Sequence, residues 1–196
     1  MDGILETDEN TAHLEEKILM LKSYFYHNGL LFCNSNGDLP DIGSIGGDWD
    51  SIVALIEQGE VFYSKLYKNR VTYLSRELYY QIKPYRQRVD NLSDKSKEVI
   101  EFLEANDSAS TKTIKYILGI PSKEFTICIN ELCKELLVTA VKRDRTINVN
   151  WSSFKWGTFQ QWERLKPLPK VGHDAERLNI LLSTVLTENQ IRSLLR

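Results

Sequence analysis

Between Leu92 and Trp151 the hydrophobic period changes from helical to extended, and few folds accommodate that change. Phe125, Ile129, Leu132 and Leu136 recur at spacings of four, three and four, one apolar stripe of an amphipathic helix. After Leu137, Val138, Ala140, Ile147, Val149 and Trp151 alternate with polar residues, which predicts a hairpin turning at Arg143-Asp144-Arg145. One helix stripe and one hairpin face cannot close a core alone, so further helices must pack on them. Two stand directly upstream. Ser93 is placed to cap a helix holding Val99, Ile100, Phe102 and Leu103, and the polar run 106–108 breaks it. Ser110 is placed to cap a short helix holding Ile114, Ile117 and Leu118, closed by Gly119, and Pro121-Ser122 opens the third.

Helix, helix, helix, hairpin is winged-helix order, so the expected fold is α+β and mainly helical. It divides into an N-terminal helical and hairpin unit (1–90), a winged-helix domain (91–165), and a C-terminal linker with helices (166–196). In such a domain the third helix keeps one face outward, of a width that a DNA major groove accepts, and the hairpin reaches the adjacent backbone. Here that face carries Lys123, Thr126, Asn130 and Lys134, and Lys142, Arg143 and Arg145 are expected at the hairpin tip. The lysines and arginines suit phosphates, and Thr126 and Asn130 suit base edges or phosphates. Winged-helix domains also dock proteins, so DNA contact and protein docking both stay open.

The charge distribution permits a nucleic-acid partner without requiring one. Net charge is −2, yet residues 1–59 carry 2 basic and 11 acidic side chains, whereas residues 60–196 carry 23 and 16. Within 60–90, Tyr63, Tyr67, Tyr73, Tyr79, Tyr80 and Tyr85 alternate with Lys65, Lys68, Arg70, Arg76, Lys83, Arg86 and Arg88. Cations beside aromatics can stack bases and neutralise phosphate, which adds Arg86 and Arg88 to the candidates. The commoner outcome for such tyrosines is packing in a half-buried sheet.

Further along the chain, Leu14, Ile18, Leu21 and Phe25 predict a first helix over 11–28, ended by Gly29. A short apolar run follows over 30–33, then a Gly/Asn/Asp loop to Gly47. Asp48 is placed to cap a helix with Trp49, Ile52, Val53 and Ile56 inward, and 61–74 reads as a hairpin about Lys68-Asn69. Ser75 is placed to cap the next helix, which Pro84 should stop near Lys83. Trp151, Phe154, Trp156, Phe159 and Trp162 are expected as an aromatic cluster fixing the hairpin to the rest. After the linker 166–170, two terminal helices carry the stripes Leu178/Leu181/Leu182/Val185 and Ile191/Leu194/Leu195, which either dock on the chain's own core or pair with a protein partner or second copy.

With 42% hydrophobic residues in 196, the chain can bury a real core. No run approaches the length of a membrane-spanning helix and the first ten residues are acidic, so a cytoplasmic location without membrane contact is expected. Three cysteines make no disulfide framework; Cys128 and Cys133 fall in an amphipathic pattern as buried thiols. His13, His27 and His173 are far apart without partners at ligand spacing, and Gly43, Gly46 and Gly47 lack the Lys-Ser/Thr of a phosphate loop. No metal and no cofactor are expected.

From about Leu14 to Trp162 the chain resembles the AlkZ/YcaQ family of bacterial winged-helix DNA glycosylases, especially the shorter AlkZ-related proteins. The resemblance rests on the order of several segments: the first helix leading into Gly29-Leu30-Leu31-Phe32, Phe62-Tyr63-Ser64-Lys65-Leu66-Tyr67, Tyr73-Leu74-Ser75-Arg76-Glu77-Leu78-Tyr79, Tyr85-Arg86, and the closing aromatics Phe154 to Trp162. It implies winged-helix units around a DNA channel and, in full-length enzymes, excision of alkylated bases. Those enzymes hold the attacking water with a Gln-x-Gln/Asp motif just after the first helix. This chain departs there, reading Leu31-Phe32-Cys33-Asn34. Asp38 and Asp41 lie nearby, in a loop that needs acidic residues for its turns. Gln87-Arg88-Val89-Asp90 imitates the letters with one residue too many and in another segment. No catalytic residue is therefore assigned, and the expected function is non-catalytic DNA binding; the alternatives are a base-excision glycosylase with an altered site and a protein-interaction module.

Overall fold

The computed structural model describes residues 2–34, 37, 39–167 and 172–195, with side chains from residue 10 onward. It is mainly helical, with two small antiparallel sheets. Helix α1 (Asp2–His27) buries Leu21 and Phe25 on the expected stripe. The chain then turns at Gly29, where an added Cβ would lie 2.7 Å from Leu78 Cδ2, so only glycine fits this close crossing. Strand β1 (Leu30–Phe32) is wholly buried.

Asp48 opens α2 (Trp49–Glu57) through a reciprocal cap: its Oδ1 accepts from the Ser51 N–H at 2.9 Å, and Ser51 Oγ accepts from the Asp48 N–H at 2.8 Å. Strands β2 (Val61–Ser64) and β3 (Thr72–Ser75) follow, joined through Lys68 and Asn69, both with positive φ (48° and 58°). The first sheet has the order β1-β3-β2, which leaves β2 at an edge. Ser75 caps α3 (Arg76–Ile82), and a 3₁₀ turn containing Pro84 ends it where the sequence places the stop.

The second half begins with α4 (Asp94–Glu104), capped by Ser93, then β4 (Ala109–Ser110) and α5 (Thr111–Leu118), capped by Ser110 and closed by left-handed Gly119. Helix α6 (Ser122–Lys134) buries Phe125, Ile129 and Leu132, with Leu136 buried beyond its end, and leaves Lys123, Thr126 and Lys134 exposed and Asn130 half-buried. Strands β5 (Val138–Asn148) and β6 (Trp151–Thr158) pair into a long hairpin, and the sheet order is β4-β6-β5. The two-residue strand β4 is an addition to the expected order.

The hairpin corrects the expected turn. Arg143-Asp144-Arg145 lies within β5, and the chain reverses at 149–150. Register shifts at Ala140/Lys142, Arg143/Arg145 and Thr146/Asn148 break the period-two alternation, so a polar bulged stretch imitated a turn. Phe154 and Trp156 accordingly join Trp151 in the second strand rather than lying beyond the hairpin. They still fix it to its surroundings: Trp151 stacks on Trp49 at 5.0 Å, and Trp49 Nε1 donates to Ser152 Oγ at 2.9 Å.

Helix α7 (Phe159–Leu165) starts at a Thr158–Gln161 capping box and buries Trp162. The guanidinium of buried Arg76 lies 4.2 Å from the Trp162 ring and donates to the carbonyls of Gly59, Glu163 and Lys166. Of the expected linker, residues 168–170 lie outside the described residues. Helices α8 (Ala175–Ser183) and α9 (Glu188–Leu194) sink Leu178, Leu181, Leu182, Ile191 and Leu194 into a core shared with Leu78, Tyr79 and Trp162. Those stripes are thus taken up by the chain's own core. Among the described residues no helix is long and apolar enough to cross a membrane.

Leu132 is fully buried in the larger core, so Leu132→Ala should lower unfolding free energy by about 2–5 kcal/mol, read from urea denaturation. Asn130→Ala, at the half-buried position on the opposite face, should change it by less than about 1 kcal/mol. The core also sets an alkaline limit. Burial raises Tyr63, Tyr73 and Tyr79 well above their ordinary 10.0 and pushes Cys133 up to about 12. The unfolded chain ionises these groups at their ordinary values while the fold resists, so the stability they contribute is complete below pH about 9 and lost as pH rises beyond it. The urea midpoint should therefore hold near neutrality and fall from pH about 9 upward.

Candidate nucleic-acid interface

The nine basic and polar residues singled out from the sequence fall in three places. The first is the outward face of α6. Lys123 and Thr126 stand in solvent, with the Thr126 hydroxyl donating to the Ser122 carbonyl at 2.9 Å, so its oxygen can still accept. Asn130 and Lys134 turn from this face toward a neighbouring groove.

The groove, about 830 Å³, is the second place. The β2–β3 turn brings Lys68 and Asn69 to one side, and α6 brings Ile127, Asn130 and Lys134 to the other. Arg86 and Arg88 come from the segment after α3, and Ser193 comes from α9. Gln87, with φ 64°, holds that segment on the end of α6: its N–H donates to the Glu135 carbonyl at 2.9 Å and its side-chain amide to the Leu136 carbonyl at 3.2 Å. Lys68, Arg88 and Lys134 take part in none of the ion pairs among the described residues. Two acids, Glu131 and Glu135, share the groove, and Glu135 Oε2 is buried without a hydrogen-bond partner. Glu131 accepts from the hydroxyls of Ser93 at 2.8 Å and Ser96 at 2.5 Å, and Glu135 lies 3.9 Å from Arg86.

The third place is β5. Arg143 pairs with Asp50 at 2.5 Å, and its backbone N–H donates to Glu57 Oε1 at 2.8 Å. Lys142 borders a second groove with Glu57, Asp107 and Arg164, and Arg145 is exposed mid-strand. These three are therefore not at the hairpin tip but within β5, where the α2 acids Asp50 and Glu57 meet Arg143. The tip instead carries Ile147 and Val149 exposed.

Asn69 is the groove residue that the sequence reading treated only as a turn, and Lys68, counted there among the cations beside the tyrosines, was not carried forward as a contact. Their signal was that two consecutive non-glycine residues at a tight turn project outward. The tyrosines, by contrast, pack: Tyr63, Tyr67, Tyr73 and Tyr79 are buried, with Tyr63 and Tyr73 edge to face at 6.1 Å. Asp38 lies outside the described residues. Asp41 is occupied by its own turn, accepting from the N–H groups of Gly43 at 2.9 Å and Ser44 at 3.2 Å. Gln87, in the imitated motif, is occupied on the Leu136 carbonyl. All three cysteines are free thiols, with Cys128 and Cys133 buried. Among the described residues, no three His, Cys, Asp or Glu side chains assemble as a metal set.

No curated protein and no solved structure matches the chain. A family model described as AlkZ related matches residues 44–189, a span that takes in α2, both strands of the first hairpin, α6 and the whole second sheet. The chain belongs to the AlkZ-related family, a glycosylase-like family connected with DNA repair.

Proposed function

We propose that residues 91–165 form a winged-helix unit that binds DNA through the outer face of α6 and the adjoining groove, and that the protein does not excise bases. The observation that carries this reading is the convergence of Lys68, Arg88 and Lys134, which enter none of the ion pairs among the described residues, with Arg86 on one groove beside an exposed helix face, where these four cations outnumber the two acids Glu131 and Glu135. Cations left unpaired around a concave surface raise the local concentration of a polyanion and release its counterions on contact. Thr126 and Asn130 supply neutral donors and acceptors on the same helix, and Lys123 extends the positive rim. Arg145 and Lys142 are secondary candidates, and Arg143 is the weakest because Asp50 already neutralises it. Family membership supports the DNA partner.

A protein-docking role is the second reading, favoured by Tyr116 (87% exposed), Ile117 and Ile127 on α5 and α6. The two readings respond differently to salt. Binding of a labelled duplex should weaken steeply between about 50 and 200 mM salt, and Arg88→Gln with Lys134→Gln should each lower the logarithmic salt slope by about 1. Both residues lie outside the ion-pair network, so thermal unfolding should stay nearly unchanged. Salt-independent association, or full affinity in the double variant, would remove DNA from this surface.

The absence of excision has its own test. A glycosylase must position water against the flipped nucleotide, and Asp41 is committed to its turn. Incubation with duplex containing an alkylated purine should release base only at the background rate. Release well above background would establish the catalytic alternative and make Asp38 and Asp41 the first residues to replace.

A further inference from the structure

Among the described residues, the non-glycine positions with positive φ are Lys68 (48°), Asn69 (58°), Gln87 (64°) and Leu136 (55°), and all stand at one groove. Lys68 and Asn69 line it, Gln87 lies between its lining residues Arg86 and Arg88, and Leu136 follows its lining residue Glu135. Elsewhere the left-handed positions are filled by Gly37, Gly46, Gly59 and Gly119. Left-handed backbone crowds a Cβ against the following carbonyl oxygen, so glycine adopts it freely and other residues at a cost. Such cost gathers at functional surfaces.

Packing accounts for two of the four. Gln87 donates from its N–H and its side-chain amide to the Glu135 and Leu136 carbonyls, and Leu136 is buried beyond the end of α6. Lys68 and Asn69 have no such return. They are the central pair of a turn closed by the Arg70 N–H on the Tyr67 carbonyl at 2.9 Å. Positive φ at both positions is the type I′ pattern, for which Asn-Gly is the preferred pair. The flanks of the turn are fixed: Tyr67 is buried edge to face with Phe32 at 5.3 Å, and Arg70 Nη2 donates to the Asn34 carbonyl at 3.0 Å. The tip is exposed. The Lys68 ammonium lies 5.3 Å from the Tyr67 ring, and among the described residues neither it nor the Asn69 amide has a hydrogen-bond or ion-pair partner. Lys68 also borders a neighbouring recess of about 250 Å³ with Asn189 and Ser193 of α9, so the turn is a ridge between two concavities.

We propose that the Lys68-Asn69 turn is a DNA-contacting finger, kept in left-handed backbone at a cost to stability. The Lys68 ammonium meets a backbone phosphate, and the Asn69 amide bonds the same strand beside it. The finger rests on the DNA reading above and adds to it Asn69 and the turn that carries both residues.

The test measures thermal unfolding and duplex affinity side by side in the full-length protein. Lys68→Asn combined with Asn69→Gly installs the pair that the turn prefers, so the thermal midpoint should rise by about 2–4 °C while duplex affinity falls. A merely structural turn would not move the two readouts in opposite directions. Lys68→Asn alone removes one phosphate contact; it should weaken binding about tenfold near 50 mM salt and lower the logarithmic salt slope by about 1. Lys68→Arg keeps the charge and should keep the slope. Asn69→Gly leaves the charge in place, so it should weaken binding about fivefold at an unchanged slope. Full affinity in either single variant, while the wild type binds duplex, would overturn the two-residue finger and leave DNA binding intact. A lower thermal midpoint in the double variant would overturn the stability cost. No duplex binding by the wild type would overturn both the finger and the DNA reading.

Discussion

One buried hydroxyl joins the two sheets. Strand β2 is an edge of the first sheet and β5 an edge of the second, so both present backbone groups that no ladder satisfies. Thr139 Oγ1, fully buried, accepts from the Tyr63 N–H at 3.0 Å and donates to the Tyr63 carbonyl at 3.0 Å. Leaving either group unpaired there would cost about 1–3 kcal/mol, so the seam closes because a threonine stands at that register. Two further bonds extend it, from the Lys65 N–H to the Cys133 carbonyl at 3.4 Å and from the Gln87 N–H to the Glu135 carbonyl. The groove exists because this seam draws the first hairpin against the end of α6.

The seam also explains how a chain of net charge −2 can present a cationic surface. The acidic first third is folded onto the cations of the rest: Asp50 meets Arg143, Glu57 meets the Arg143 backbone, and Glu60 meets Lys166. Asp48 is taken up within that third: partial burial pushes its carboxyl up, but the Lys17 ammonium and the Ser51 cap bonds together outweigh that and hold it below its usual range. Arg143 on β5 is thus neutralised from α2, whereas Lys68, Arg88 and Lys134 enter none of the ion pairs among the described residues, in a groove where four cations, Arg86 included, face the two acids Glu131 and Glu135. Overall composition averages these two regions and conceals both.

What was legible in the sequence was local. Asp48, Ser75, Ser93 and Ser110 all cap the helices expected of them, because an N-cap bond spans three residues and needs no tertiary partner. The face of α6 was legible because its stripe is uninterrupted. The hairpin turn was not, since bulges in β5 destroyed the alternation that locates strands; the pair Asn148 and Asn150 was the truer turn signal. The alternation Ser152, Phe154, Trp156, Thr158, all buried, marked β6 plainly, but the misplaced turn drew attention from it. The groove was beyond reach, because Lys68, Arg86, Lys134 and Ser193 meet only through the seam. Likewise nothing local distinguishes Arg143, neutralised by an aspartate 93 residues away, from Lys134, which is not.

Lysine footprinting decides most directly between the groove and the β5 strand as the DNA surface. Full-length protein is acetylated with and without saturating duplex, and the rate at each lysine is read by mass spectrometry. The account requires protection of Lys68 and Lys134, which flank the groove, with little change at Lys142 on β5. Protection of Lys142 while Lys68 and Lys134 react at their free rates would contradict it.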